Sequence, residues 1–347
     1  MNDVIEMIEK KLDDEDVLSA RKMIEKLYKN SPYRYYFIAE SKRIEGFLKN
    51  AIYDYLRAIK GLKDMDREKY FNSLLKISAI YRSEGDKKNT LKYINMAEKI
   101  NPNSLELMIE KAMYYRMIGN FEKAISIFNR VKEKYILEKD YAGVSYIMWA
   151  IGGILRLKGM FKESIKSYQN AISYAKRVKD SSLEVYSLFG LAGVLRVSGE
   201  IKKSYEIYRK SLSLISTDDS FATAYVHCGM ANSLRQSQRL DDAIKNYRIS
   251  YKYYSKINDS LDLALVLWGA GECYKKKNKL DTALKLFKKA SKLFKTGFEP
   301  RGEILNMIST AETLYLLGNI KEANKIYFNA IEKAKKNHLY TYLERFT

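Results

Sequence analysis

The stretch Tyr146–Ala171, YIMWAIGGILRLKGMFKESIKSYQNA, returns forty residues later as Tyr186–Ser211, YSLFGLAGVLRVSGEIKKSYEIYRKS. It returns again in weaker form from Tyr225 (YVHCGMANSLRQSQRLDDAIKNYRIS) and from Leu265 (LVLWGAGECYKKKNKLDTALKLFKKA). A fixed period of this length marks an architecture in which one supersecondary unit is stacked many times over. Within the stretch, Met148, Ile151, Gly152 and Leu155 lie on one stripe at helical spacing, Gly159 stands in a turn, and Ser164, Tyr168 and Ala171 begin a second stripe. Each period therefore reads as two helices joined by a short turn. Small residues at Gly152 and Ala171 let the paired helices approach closely, while Tyr168 and Leu155 fill the space between them.

Working outward, the equivalents of Gly152, Gly159, Ser164, Tyr168 and Ala171 can be placed along the whole chain. Towards the N-terminus they are Ile8, Glu15, Ala20, Ile24 and Leu27; Ala39, Gly46, Ala51, Tyr55 and Ala58; Ser78, Gly85, Thr90, Ile94 and Ala97; and Ala112, Gly119, Ala124, Phe128 and Val131. Towards the C-terminus they are Ala192, Gly199, Ser204, Tyr208 and Ser211; Ala231, Gln238, Ala243, Tyr247 and Ser250; Gly271, Asn278, Ala283, Phe287 and Ala290; and Ala311, Gly318, Ala323, Tyr327 and Ala330. That makes nine hairpins. Pro32 and Pro102 fall at expected helix boundaries, where proline is tolerated. Asp140, Asp180, Asp219 and Asp259 each precede a later unit and read as N-caps.

These positions are the signature places of the tetratricopeptide repeat (TPR), and the chain resembles that family over nearly its whole length. The resemblance implies an all-α, right-handed superhelical solenoid of about nine helix-turn-helix hairpins. The period of about forty residues in the later units is similar to that of the long-repeat subclass of kinesin light chains, Pins-like scaffolds and peptide-sensing bacterial regulators. Those regulators carry an N-terminal helix-turn-helix DNA-binding domain, whereas Met1–Asn30 already reads as a repeat. The expected organisation is a set of shorter, less regular hairpins over 1–138, forty-residue hairpins over 139–337, and a partial cap over 338–347 built on Leu339, Leu343 and Phe346. If that cap does not cover the last hairpin, a second copy or a partner covers it, so a homo-oligomer is among the expected partners.

Composition agrees with long helices. The 347 residues include only three prolines and 17 glycines, too few for the many turns of sandwiches or barrels. A formal net charge of +20 points to anionic partners without saying which. Cys228 and Cys273 are too few for a disulfide scaffold and suit a reducing compartment. The start NDVIEMIEKKL lacks the apolar core of a signal peptide, and no window has the unbroken apolar length of a membrane span. The expectation is a soluble cytoplasmic protein with no membrane partner.

The family resemblance further implies that the first helix of each hairpin lines the concave face. By position this puts Tyr146, Trp149, Gly153 and Arg156 in a groove, followed by Tyr186, Phe189, Gly193 and Arg196, then Tyr225, Cys228, Asn232 and Arg235, then Leu265, Trp268, Glu272 and Lys275. The basic place is the most informative: Arg43, Arg82, Arg116, Arg156, Arg196, Arg235 and Lys275 share it, although lysine far outnumbers arginine. A row of guanidiniums suits bidentate capture of carboxylates or phosphates, with aromatic walls beside it and Gly153 and Gly193 opening space. The same arginines also suit a purely structural task, capping the last carbonyls of their helices, and Tyr146 and Tyr186 suit packing between repeats as well as a groove wall.

Three functions follow. The first is a non-catalytic scaffold that binds an acidic or extended segment of a partner protein. The second is single-stranded nucleic-acid or nucleotide binding, with bases stacked on Trp149, Phe189 and Trp268. The third is an assembly factor or subunit held through its convex face. No cofactor and no metal is expected: His227 beside Cys228 fits no zinc spacing, and the glycines at 152, 153 and 159 follow no strand, so they make neither a phosphate loop nor a dinucleotide fingerprint.

Overall fold

A computed structural model describes residues 2–14, 16–216, 219–297 and 299–337. Among these residues all regular structure is helical, and it forms nine consecutive hairpins of an all-α solenoid. They are α1 (Asn2–Asp13) with α2 (Val17–Ile24), α3 (Pro32–Ile44) with α4 (Leu48–Met65), α5 (Arg67–Ser83) with α6 (Lys87–Glu98), and α7 (Leu105–Met117) with α8 (Phe121–Leu137). Then come α9 (Tyr141–Leu157) with α10 (Phe161–Arg177), α11 (Ser181–Val197) with α12 (Ile201–Ser211), α13 (Ser220–Gln236) with α14 (Leu240–Lys256), α15 (Ser260–Lys276) with α16 (Leu280–Phe294), and α17 (Pro300–Leu316) with α18 (Ile320–Lys336). The capping segment expected at 338–347 lies outside the described residues. Among the described residues no helix is long and apolar enough to cross a membrane.

The chain divides into two compact units, Met1–Lys134 and Tyr135–Thr347, with the division in the last turn of α8. In the first unit the core runs through Phe37, Tyr55, Leu62, Leu74, Ile77 and Ile94. Glu40, itself buried, takes hydrogen bonds from the Tyr55 hydroxyl and from Arg43, the latter at 2.6 Å. Pro32 opens a helix, at the first position of α3, where its missing N–H costs nothing.

In the second unit α10, α12, α14 and α16 each pack between their own first helix and the next one, and consecutive first helices α9, α11, α13, α15 and α17 also touch. What sets this packing is one aromatic ring per hairpin laid on glycine. Tyr168 on α10 lies against Gly152 of α9, where an added Cβ would sit 3.1 Å from the ring, and against Gly190 of α11, where it would sit only 2.1 Å away. Tyr208 meets Gly229 and Tyr247 meets Gly269 in the same way, with corresponding distances of 2.3 and 2.4 Å. Ser164, Ser204, Ala243 and Ala283 are fully buried at the place where the second helix crosses the first.

The four N-cap aspartates act as expected. Asp140, Asp180, Asp219 and Asp259 accept from the backbone amides of Gly143, Leu183, Ala222 and Asp262 at 2.9, 2.9, 2.7 and 3.0 Å. At the other end of each first helix the chain turns through a left-handed residue. Gly159 and Gly199 take that place at φ +78° and +96°, whereas Gln238 and Asn278 are held there at φ 60° and 56°. The Gln238 amide donates to the Arg235 carbonyl at 3.2 Å and the Arg239 amide to the Leu234 carbonyl at 2.9 Å, so the turn fixes this backbone whatever residue occupies it. A side chain in the left-handed region is strained, and glycine is not. Gln238→Gly is accordingly expected to stabilise the protein by about 0.5–1 kcal/mol. The check is the urea midpoint, and a lowered midpoint would show that the Gln238 side chain contributes more than its backbone strain costs.

Candidate functional site

The candidate groove residues from Tyr146 to Lys275 all belong to the second unit, on α9, α11, α13 and α15. They recur on each helix at intervals of three, four and three residues, which puts them on one helical stripe. Arg82 and Arg116 lie in the first unit.

The aromatic members differ in exposure. Tyr146, Trp149, Tyr186, Tyr225 and Trp268 are half-buried. Tyr146 and Trp149 face one another with ring centroids 5.7 Å apart. Phe189, expected on the wall, is only 2% exposed. It stacks on Tyr225 at 4.9 Å and touches Tyr186 and Tyr208, so it is packing between hairpins, and Tyr186 and Tyr225 form the surface there. Trp268 is tethered: its indole N–H donates to Ser309 Oγ on α17 at 2.9 Å, and the Arg235 guanidinium lies 5.0 Å over its ring.

The basic positions are not equivalent. Arg82 makes two hydrogen bonds to Glu110 on α7, at 3.0 and 3.1 Å, and Ser78 donates to the same carboxylate at 2.9 Å. This is an internal, largely buried ion pair and not an open anion site. Lys275 is likewise answered inside the protein, by Glu272 at 2.9 Å and by Glu312 of α17. Arg116 points a guanidinium nitrogen at Met113 Sδ, 4.0 Å away.

Between these ends the three remaining arginines gather around buried hydroxyl and thiol groups. Arg235 Nε donates to the Tyr247 hydroxyl at 3.2 Å, and that hydroxyl donates to Asn232 Oδ1 at 2.8 Å. Burial works against the Arg235 charge, but Tyr247 and Glu272 more than offset it and hold its pKa above the ordinary value. Arg156 reaches across to α11, where its Nη1 lies 3.7 Å from the place a Cβ on Gly193 would occupy. Burial pushes the Tyr208 hydroxyl well above the ordinary range, aided by Tyr225 and opposed by both Arg196 and Arg156. Gly153, like Gly193, is buried. The Arg196 Nε is buried and makes no hydrogen bond, and neither Arg196 nor Arg235 forms a salt bridge among the described residues.

Burial and Asp262 push the Cys228 thiol up to about 12 against the pull of Arg196 and Arg235, so it is neutral near pH 7. Cys273 is pushed up to about 11, chiefly by burial. His227 Nδ1 lies 2.9 Å from Asn246 Oδ1, and no group of three or more metal-binding side chains occurs among the described residues.

Three residues that shape the site were not singled out from the sequence, Glu110, Asp262 and Glu312, and Tyr247 was read only as a packing ring of its repeat. Glu312 stands at the same place in α17 as Gly193, Asn232 and Glu272 do in their helices, so repeat register could have found it. Asp262 carries no such signal, because its equivalents in the other hairpins of the second unit, Gly143, Leu183, Ala222 and Gly302, are apolar or glycine.

Comparison with known proteins bears on the fold. Tetratricopeptide-repeat patterns match residues 220–296 and 108–135. No curated protein sequence gives a match. Among solved structures, a Rap protein complexed with competence and sporulation factor superposes with a TM-score of 0.70 at 11% identity, covering 97% of this chain and 99% of that one. The quorum sensor NprR from B. thuringiensis, in its apo form, gives 0.63 at 15% identity over 96% and 98% of the two chains. NprR in complex with its cognate peptide NprX gives 0.62 at 16% identity, over 95% and 97%. The repeat matches, the nine hairpins and these superpositions agree on one statement: the fold is a TPR-like helical repeat.

Proposed function

We propose that the chain is a non-catalytic interaction scaffold whose second unit holds an acidic or extended segment of a partner protein against α9, α11, α13 and α15. The observation that carries this is the difference among the basic positions. Arg82 and Lys275 are neutralised by internal carboxylates, whereas neither Arg196 nor Arg235 forms a salt bridge among the described residues, and Arg235 lies over the half-buried ring of Trp268. Helix capping does not require these guanidiniums. The backbone amides of Gly159, Gly199 and Gln238 already donate to the carbonyls of Arg156, Arg196 and Arg235, at 3.2, 3.3 and 3.2 Å. Two of the similar structures, Rap and NprR, are complexes with a competence and sporulation factor and with a cognate peptide, which is in keeping with a peptide-holding role here. The raised pKa of Cys228 and Cys273 argues against a nucleophilic thiol. The burial of Phe189 and the tethering of Trp268 weigh against a run of stacking platforms for bases.

Arg156→Ala, Arg196→Ala and Arg235→Ala combined are expected to abolish capture of the partner in a pull-down from native lysate read by mass spectrometry, with the helical circular-dichroism signal unchanged. Arg82→Ala should leave capture intact. Undiminished capture by the triple variant would remove the groove from the account. Capture that falls steeply and uniformly with added salt, together with a mobility shift of RNA, would favour phosphate contacts instead.

A further inference from the structure

The first helices of the second unit present two places to one another. One is the cation near the helix end, Arg156, Arg196, Arg235 and Lys275; the other, three residues earlier, is Gly153, Gly193, Asn232 and Glu272, continuing as Glu312 in α17. The cation of one hairpin faces the second place of the next. Lys275 pairs with Glu312. Arg235 is held charged in part by Glu272. Arg156 Nη1 lies beside Gly193, 3.7 Å from the position of a Cβ. By the same register Arg196 faces Asn232, whose Oδ1 is taken by the Tyr247 hydroxyl and whose Nδ2 is 3.6 Å from Cys228 Sγ. The series along the groove is therefore Gly, Asn, Glu, Glu: Glu312 pairs with Lys275, Glu272 acts on Arg235 without forming a salt bridge to it, and by register an amide already bonded elsewhere stands opposite Arg196.

A guanidinium with a buried, unsatisfied N–H is costly, and a carboxylate is the acceptor whose two oxygens match its planar fork. We propose that Arg196, with Arg156 beside it, is a subsite for one carboxylate supplied by the partner, an Asp or Glu side chain that takes the place Glu312 holds against Lys275. The inference rests on the peptide-holding function proposed above and names the group recognised. Carboxylate is preferred to phosphate because carboxylate is the group that this repeat itself places against the equivalent cation.

The test is an array of nonapeptides in an apolar and serine background, each carrying Glu, Gln or phosphoserine at one scanned position, probed with the labelled full chain. Glu peptides should be retained about tenfold better than their Gln counterparts, the preference expected of a charge-assisted hydrogen bond. Asn232→Glu supplies the missing carboxylate internally, and should erase that preference while the melting temperature holds or rises. Arg196→Gln should erase it as well, so the test stands even if Asn232→Glu fails to fold. Equal retention of Glu and Gln peptides would overturn the carboxylate subsite and leave the peptide groove standing. Preference for phosphoserine would overturn the choice of anion, and no retention of any peptide would overturn subsite and groove together.

Discussion

Gly190→Ala is expected to destabilise the second unit by about 1–3 kcal/mol, and Gly190→Val by more, although both replace the poorest helix former after proline. The reason is spatial. A Cβ at Gly190 would lie 2.1 Å from Tyr168 Cε1, and that ring cannot retreat, because it is 3% exposed and already lies against Gly152 on its other side. Interiors packed at this density meet an added methyl with strain in side chains and backbone. Gly193→Ala, three residues along the same helix, is the matched control: its Cβ would meet nothing closer than 3.7 Å, so the gain in helix propensity of up to about 1 kcal/mol should show. Urea titration of both variants measures the difference directly. Equal midpoints would mean that the ring-on-glycine contact does not hold the hairpins together. Gly229 and Gly269 make the same contact with Tyr208 and Tyr247, so the effect should repeat at each.

The comparison of Gly190 with Gly193 also shows how far the sequence could be followed. Helix pairing, the turn glycines, the aspartate caps and the count of nine hairpins all follow from local rules, the 3.6-residue period and the chemistry of helix ends, and these act within one repeat. Gly152 was legible for that reason, since its partner Tyr168 belongs to the same hairpin. Gly190, Gly229 and Gly269 meet rings from the preceding hairpin, and their role depends on how units stack, which no single repeat encodes. The site divides along the same line. Register placed the arginines on one stripe, but whether each is neutralised depends on a residue of the next first helix: Glu110 for Arg82, Glu312 for Lys275. Phe189 was misplaced on the wall because a stripe facing a groove and a stripe facing the next hairpin share a helix edge, and Tyr225 across that edge buries it.

The largest pH effect is expected from Asp262, in the first turn of α15. Burial, with the neighbouring Asp259 and Glu299 carboxylates, raises its pKa to about 7 against the pull of a hydrogen bond with Tyr254. In the unfolded chain the same carboxyl titrates near the ordinary aspartate value of 3.8. Below that value it is protonated in both states and costs nothing. Between about pH 4 and 7 the unfolded chain releases the proton that the folded chain keeps, so stability falls as pH rises. Above pH 7 both forms are ionised and the loss is complete, on the order of 4 kcal/mol at roughly 1.4 kcal/mol per unit of pKa. Asp262→Asn keeps an acceptor for the Tyr254 hydroxyl and cannot ionise. It is therefore expected to match the wild type near pH 4 and to exceed it by that amount at pH 8, in urea titrations run at both values. Identical pH dependence in the two proteins would show that Asp262 ionises freely in the folded state. A gain at pH 8 would mark it as a carboxylate that the fold carries at a cost, placed where it also acts electrostatically on Tyr225 and Cys228 of the groove stripe.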